Sequence, residues 1–285
     1  MNLRTTRRSF LGCAGAAGVG ALAAVSPASA KIETSPYGIK LGIATYTFRN
    51  FDRAKAIEML HQVHATWISI KDTDQQLSHK ASLAETAAAR RQFDDAGFKV
   101  MSAGNVNMTQ GKTVEELRPI FEWAKAARLP MMVCAPTHDN LRAVEALVKE
   151  YDIRIAIHNH GPEDKHFPTP QSVLEAVRPL DRRCGLCMDV GHTERAGVDP
   201  VKTIPEAGDR LFDMHVKDLA DFTSKESQVD VGDGIIAFPQ LFRQLHKADY
   251  QGCVNLEYEI HGDDPLPGVQ RSMSYMRGVL AGLAA

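Results

Sequence analysis

The sequence predicts an α/β fold, a single (β/α)8 TIM barrel preceded by a cleavable signal peptide. Three observations carry this. About 250 residues follow the leader, a usual size for one such barrel. Eight short apolar runs alternate with longer amphipathic stretches of helical period. The first run ends in TYTFRN, where an open doubly wound sheet would often carry a glycine-rich phosphate loop.

The leader comes first, with domain bounds 1–30 and 31–285. It opens polar and basic with Arg4, Arg7 and Arg8, continues as FLGCAGAAGVGALAAV and closes on Ala28-Ser29-Ala30. That is the pattern of a secretory signal, too short and too rich in Ala and Gly for a good membrane span. Within it TRRSFLG resembles the bacterial twin-arginine export signal, with Gly12 where lysine is often found. The resemblance implies export in the folded state and a periplasmic address.

The eight runs are then 39–48, 66–72, 99–105, 129–136, 153–160, 184–192, 211–218 and 252–259. Helical stretches such as RAKAIEMLHQVH, SLAETAAARRQFDDAG, TVEELRPIFEWAKAA and NLRAVEALVKEY separate them, and a last helix is expected near 267–283. The longest irregular stretch, 220–237, follows the seventh run and is expected to form a lid over the active face.

Composition narrows the partners. The chain has 44% hydrophobic and 24% charged residues and a net charge of −2; the mature part has 30 Lys+Arg against 35 Asp+Glu, a net −5. No basic stripe interleaved with aromatics is present, so nucleic acid is not expected as a partner. The mature part offers no membrane span, and a homodimer is compatible with a sequence that shows no decisive interface patch. Of its four cysteines, Cys134, Cys184, Cys187 and Cys253, two form CGLC. Positions three apart on a strand face opposite ways, so buried free thiols are expected rather than a working pair.

Chemistry in this fold gathers at the C-terminal strand ends. There the fifth run offers His158 and His160, the sixth Asp189 with His192 beyond it, the seventh His215 and Lys217, and the eighth Glu257 and Glu259. Alternation puts His158 and His160 on one face, as it does His215 with Lys217 and Glu257 with Glu259. Buried imidazoles and carboxylates require partners or a metal. His158, Asp189, His215 and Glu257 form a two-nitrogen, two-oxygen set suited to Zn2+ or Mn2+, with Co2+, Ni2+ or Fe2+ admissible. The competing account is an ion-pair network without metal, with Asp189 capping the next segment and Glu257 paired to Lys217. Whether His158 or His160 is the ligand stays open at this point.

The motifs IAIHNHGPED, GLCMDVGHTERAGVDP, LFDMHVKD, VDVGDGIIAFPQLF and VNLEYE resemble the xylose isomerase-like barrel superfamily, the sugar phosphate isomerase/epimerase group, over almost all of 38–283. The resemblance implies a divalent metal held by side chains of strands five to eight, onto which Asp189, His215 and Glu257 map. It also implies a substrate contact at His192. His158 stands where a glutamate is common, and Ser69 on strand two likewise, with Lys71 following on the same face. Epimerases of the group use two facing glutamates, so the resemblance leaves Glu257 as one base. Lys217, His192, His160 or Glu259 would be its partner, and Tyr46, Lys71 and Glu259 would contact substrate.

The function this implies is an exported, metal-dependent isomerase or epimerase of a small carbohydrate, moving a proton next to a carbonyl. The alternatives are a lyase or hydratase on 3-keto-glycosides, and a non-catalytic periplasmic sugar-binding protein.

Overall fold

The computed structural model describes residue 35 and residues 37–285. The export signal lies outside them. The elements run β1 (Lys40–Ala44), α1 (Arg53–Gln62), β2 (Trp67–Lys71), α2 (Leu83–Asp95), β3 (Lys99–Asn107), α3 (Val114–Ala126), β4 (Met131–Ala135), α4 (Leu141–Tyr151) and β5 (Arg154–His158). They continue α5 (Pro170–Val177), β6 (Cys184–Asp189), α6 (Val190–Arg195), α7 (Pro200–Ala207), β7 (Leu211–Val216), β8 (Asp218–Leu219), β9 (Gln228–Val229), α8 (Phe238–Lys247), β10 (Cys253–Leu256) and α9 (Leu266–Ala284). Eight parallel strands close into a barrel in the order β1-β10-β7-β6-β5-β4-β3-β2, and β8 and β9 form a separate antiparallel pair. This is the (β/α)8 architecture expected from the alternation. Among the described residues no helix is long and apolar enough to cross a membrane.

Local chemistry sets the element ends. Ser82 and Thr113 open α2 and α3 with capping boxes, each closed by a glutamate three residues on. Seven of the eight barrel strands stop earlier than the apolar runs do, and four of these stops shape the site. The first ends at Ala44, and Thr45–Phe48 turns as a 3-10 helix. Gln76 makes that turn possible, because its amide donates to the carbonyls of Thr45 (3.2 Å) and Phe48 (3.0 Å). Strand β5 ends at His158, and the His160 N–H donates across the next loop to Phe167 O (3.1 Å). Strand β6 ends at Asp189, whose side chain caps α6. Strand β10 ends at Leu256, although the Glu257 N–H still donates to Val216 O (2.9 Å).

The larger core lies between strands and helices, with Phe48, Phe93, Phe121, Trp123 and Phe242 in it. A smaller cluster of Met131, Val133, Ala156 and Cys187 stands apart from it, Ala156 and Cys187 on the face that carries His158 and Asp189. Buried polar side chains complete the barrel interior. Ser102 Oγ donates to Asp213 Oδ2 (3.1 Å) and meets Ser69 Oγ at 2.8 Å, and Asn255 Nδ2 donates to Asp213 Oδ1 (2.7 Å). Strand β3 is irregular against β4 between Ala103 and Val106. Gly104 belongs there because a Cβ would stand 2.0 Å from Val133 O.

The 220–237 segment, expected as a lid, is tethered. Its middle, Gln228–Val229, pairs as β9 with β8, the two residues just before it. The Asp218 carboxylate accepts backbone N–H bonds from Leu219, Gly232, Gly234 and Ile236 at 2.9–3.2 Å. The four cysteines among the described residues are free and buried, as the alternation predicts. Replacing Asp218 with Ala strips four donors of a charged acceptor. It is expected to cost about 3 kcal/mol in denaturant unfolding and to speed hydrogen exchange across 220–237.

Candidate metal centre

Four barrel strands bring their C-terminal side chains together. One donor atom each from His158, Asp189, His215 and Glu257 lies within 4.8 Å of the others, and all four residues are buried. Register explains how residues of different strand position meet. Asp189 pairs with His215, whereas His158 pairs with Cys187 and His215 with Asn255. Glu257 thus stands two residues beyond the partner of His215, where the chain has just left the strand.

The distances suit a small cation. His158 Nε2 is 3.1 Å from His215 Nδ1 and 3.7 Å from Asp189 Oδ2, and His215 Nδ1 is 3.2 Å from Glu257 Oε1. A tetrahedral site with bonds near 2.0–2.2 Å has ligand atoms about 3.3–3.6 Å apart. Buried atoms are also left over. His158 Nδ1 and His215 Nε2 have no hydrogen-bond partner. Asp189 Oδ2 has no aligned hydrogen bond either, although Lys217 Nζ lies 3.0 Å away. By donor type, by spacing and by the unpaired Asp189 Oδ2 the four residues fit a divalent cation.

The capping and ion-pair contacts weighed from sequence are present in the same cluster. Asp189 Oδ1 caps α6 by accepting from the His192 N–H (2.8 Å). Lys217 Nζ lies 3.0 Å from Glu257 Oε2 and also bonds Glu259. Burial disfavours the Lys217 ammonium, but Asp189, Glu259 and Glu257 outweigh it and hold its pKa well above the usual lysine range. Burial disfavours the Glu257 carboxylate too, and Lys217 and His215 hold its pKa well below the usual range. His158 is pushed well down, first by burial and then by the neighbouring imidazoles, which keeps it a neutral donor. For His215 burial works the same way, but the adjoining Glu257 carboxylate overcomes it and raises its pKa. Burial pushes the Cys187 thiol up to about 12.

The remaining expected residues ring the cluster. His160 stays outside it: its Nε2 meets Asn105 Nδ2 at 2.7 Å and its Nδ1 faces Asp164 at 3.1 Å. Of the two histidines left open, His158 is therefore the one in the cluster. His192 rides on α6, its ring 6.0 Å from those of His158 and His160, and burial lowers its pKa. On the β1–β2 side, Lys71 Nζ and the Arg49 guanidinium each lie 4.8 Å from the Tyr46 ring centre. Among the described residues the Lys71 ammonium has no ion-pair partner within 4.0 Å, and burial lowers its pKa. Arg49 and Asn105 were not singled out in the sequence. Arg49 reaches the site through Glu259 O (2.7 Å) and Asn105 through His160, contacts more than 50 residues apart in the chain.

Comparison with known proteins gives the family and the fold. Residues 54–279 match the family model described as "Xylose isomerase-like TIM barrel". Inosose dehydratase 1 of Bacillus cereus (strain ZK / E33L) is 24% identical over 225 residues, 70% of this chain and 69% of that protein. The crystal structure of the IOLI protein with a bound zinc atom has a TM-score of 0.69 at 18% identity, covering 86% of this chain and 99% of that one. Apo 3-keto-D-glucoside 4-epimerase YcjR from E. coli has a TM-score of 0.67 at 16% identity, covering 84% and 98%.

Lys217 is the neutralising charge of this cluster. Lys217→Met is expected to lower the unfolding free energy of chelator-treated protein by about 3–5 kcal/mol. Saturating Zn2+ or Mn2+ should restore most of it, read by thermal melts with and without cation.

Proposed function

Because this chain belongs to the xylose isomerase-like TIM barrel family, we propose that it is a divalent-cation-dependent enzyme. It removes a proton beside the carbonyl of a sugar-like substrate, and the enolate then loses a leaving group from the β carbon. The carrying observation is the donor set itself. His158 takes the cage position where a glutamate would be a second base, so the cage keeps one glutamate to accept the proton, Glu257. One base suffices for elimination, while epimerisation needs a second group to return the proton from the other face.

His158, Asp189, His215 and Glu257 hold the cation, with Zn2+, Mn2+ or Co2+ the best match to the donors. Bound there, the cation supplies Lewis-acid polarisation of the substrate carbonyl. Glu257 takes the proton. Lys217 fixes the Glu257 carboxylate and spreads its charge. His160, in the loop beyond β5, and His192, on α6, supply the N–H donor to the departing oxygen. Tyr46, Lys71 and Glu259 hold the substrate from the side away from His158. The similarity to an inosose dehydratase supports a cyclic keto-polyol or keto-glycoside as the substrate class. The twin-arginine-like leader supports a periplasmic address, where 3-keto-glycosides are a better match than phosphorylated sugars.

Isomerisation or epimerisation, the first expectation from sequence, is the second reading. The grouping of His160 and His192 beside the cage favours it, because either could return a proton.

Incubation with 3-keto-glycosides and with epimerisable ketoses in deuterated water separates the two. Aglycone release together with deuterium uptake is expected. Uptake and epimerisation without release would overturn the elimination. Glu257→Gln should lower kcat by about 10²–10⁴-fold. Activity should vanish in chelator and return with Zn2+, Mn2+ or Co2+. An enzyme fully active in chelator would refute the cation requirement. His158→Glu, which rebuilds the two-carboxylate cage, is expected to shift the product ratio from elimination toward proton exchange.

A further inference from the structure

Two overlapping donor sets share the His158 and His215 imidazoles. One adds Asp189 and Glu257; the other adds Cys187. We propose that His158, Cys187 and His215 form a second, inner station for a thiophilic divalent cation, deeper in the barrel than the carboxylate cage. The proposal rests on the cation-binding reading above and extends it to a different ligand and a different class of ion.

Three observations point there. Cys187 precedes Asp189 by two residues on β6, so it shares the inward face. In the β5–β6 register it pairs with His158, which sets it beside that imidazole. Its sulfur and one nitrogen from each histidine lie within 4.8 Å of one another, and all three residues are at most 3% exposed. The second observation is the residual valence of the imidazoles. His158 Nδ1 and His215 Nε2 are buried without hydrogen-bond partners. A histidine ligand ordinarily gives its second ring nitrogen to an oxygen acceptor; no such acceptor serves either ring, and the Cys187 thiol lies against His215. The third is selectivity among the cysteines. Cys134, Cys184 and Cys253 are equally buried and free, yet among the described residues none joins a group of metal-binding donors.

The donor chemistry sets the ion. Sulfur with two imidazoles favours Zn2+ or Cd2+, whereas Mn2+ keeps to carboxylate oxygen. As the metal–sulfur bond forms, the thiol proton passes to solvent; one bond is made, one is broken, and nothing is oxidised. Because both stations use both imidazoles, they cannot be filled together. A thiophilic ion held inside therefore removes the nitrogens from the outer cage.

The test uses Cd2+ and Mn2+ on purified protein stripped with chelator. Cd2+ is expected to raise ultraviolet sulfur-to-metal charge-transfer absorption in the unaltered protein and in Glu257→Gln. Cys187→Ser should abolish the absorption and weaken Cd2+ by about tenfold or more, with Mn2+ affinity unmoved. Cys134→Ala should keep the absorption. Should Cys187→Ser not fold, X-ray absorption of the unaltered Cd2+ protein gives the same reading, with sulfur expected in the first coordination shell. Cd2+ binding with no sulfur signal, or a signal that survives Cys187→Ser, overturns the inner station and leaves the outer cage standing. Failure of both Cd2+ and Mn2+ to bind overturns both.

Discussion

Three carboxylates, two imidazoles and one ammonium share the mouth of this barrel, five of the six groups almost wholly out of water. Unpaired, each would cost several kcal/mol. Their mutual neutralisation is the condition under which the rest of the barrel can form. Lys217 meets part of it by contacting Asp189, Glu257 and Glu259 at once. Asp189 does double duty, holding α6 by its capping oxygen while its other oxygen faces Lys217 and His158. The charge of the cluster still leans negative, and two imidazole nitrogens face each other at 3.1 Å. A cation answers both features.

The scaffold brings that cluster to one height by shear. Strands tilt in a closed barrel, so neighbours in the ring come from different positions along their strands. His158 is the last residue of β5, Asp189 the last of β6, His215 the next to last of β7, and Glu257 lies one past β10. The floor beneath them is polar as well. Ser69, Ser102, Asp213 and Asn255 bond one another inside the barrel. Burial there pushes the Asp213 carboxyl up to about 6.

Much of this was legible in the sequence, for a specific reason. A period of two is enough to place His158, Asp189, His215 and Glu257 on inward faces, and strand ends in a barrel point to one rim. Sequence period could not separate His158 from His160, because both share that face; the distinction came from where β5 stops, set by a loop bond to Phe167. Nor could it foresee that 45–48 leaves the strand, since the cause is Gln76, nearly 30 residues on. The tethering of 220–237 was hidden for the same reason, as Asp218 binds amides 14–18 residues away. Cys187 was read as an inert buried thiol from its apolar neighbours, and only the β5–β6 register sets it beside an imidazole. What the pattern missed is side-chain contact between distant segments, which has no local period.

The rim is also divided. The charged cluster draws on β5, β6, β7 and β10, while Tyr46, Arg49, Lys71 and Asn105 come from the turns and strands of the first third of the chain. The two arcs share the β1–β10 backbone ladder and otherwise meet through side chains such as Arg49 and Asn105. Natural drift can therefore rework residues 45–110, and with them the shape and charge offered to a new molecule, while the reactive arc stays intact. Such a layout lends itself to diversification: one inherited chemistry, many clients.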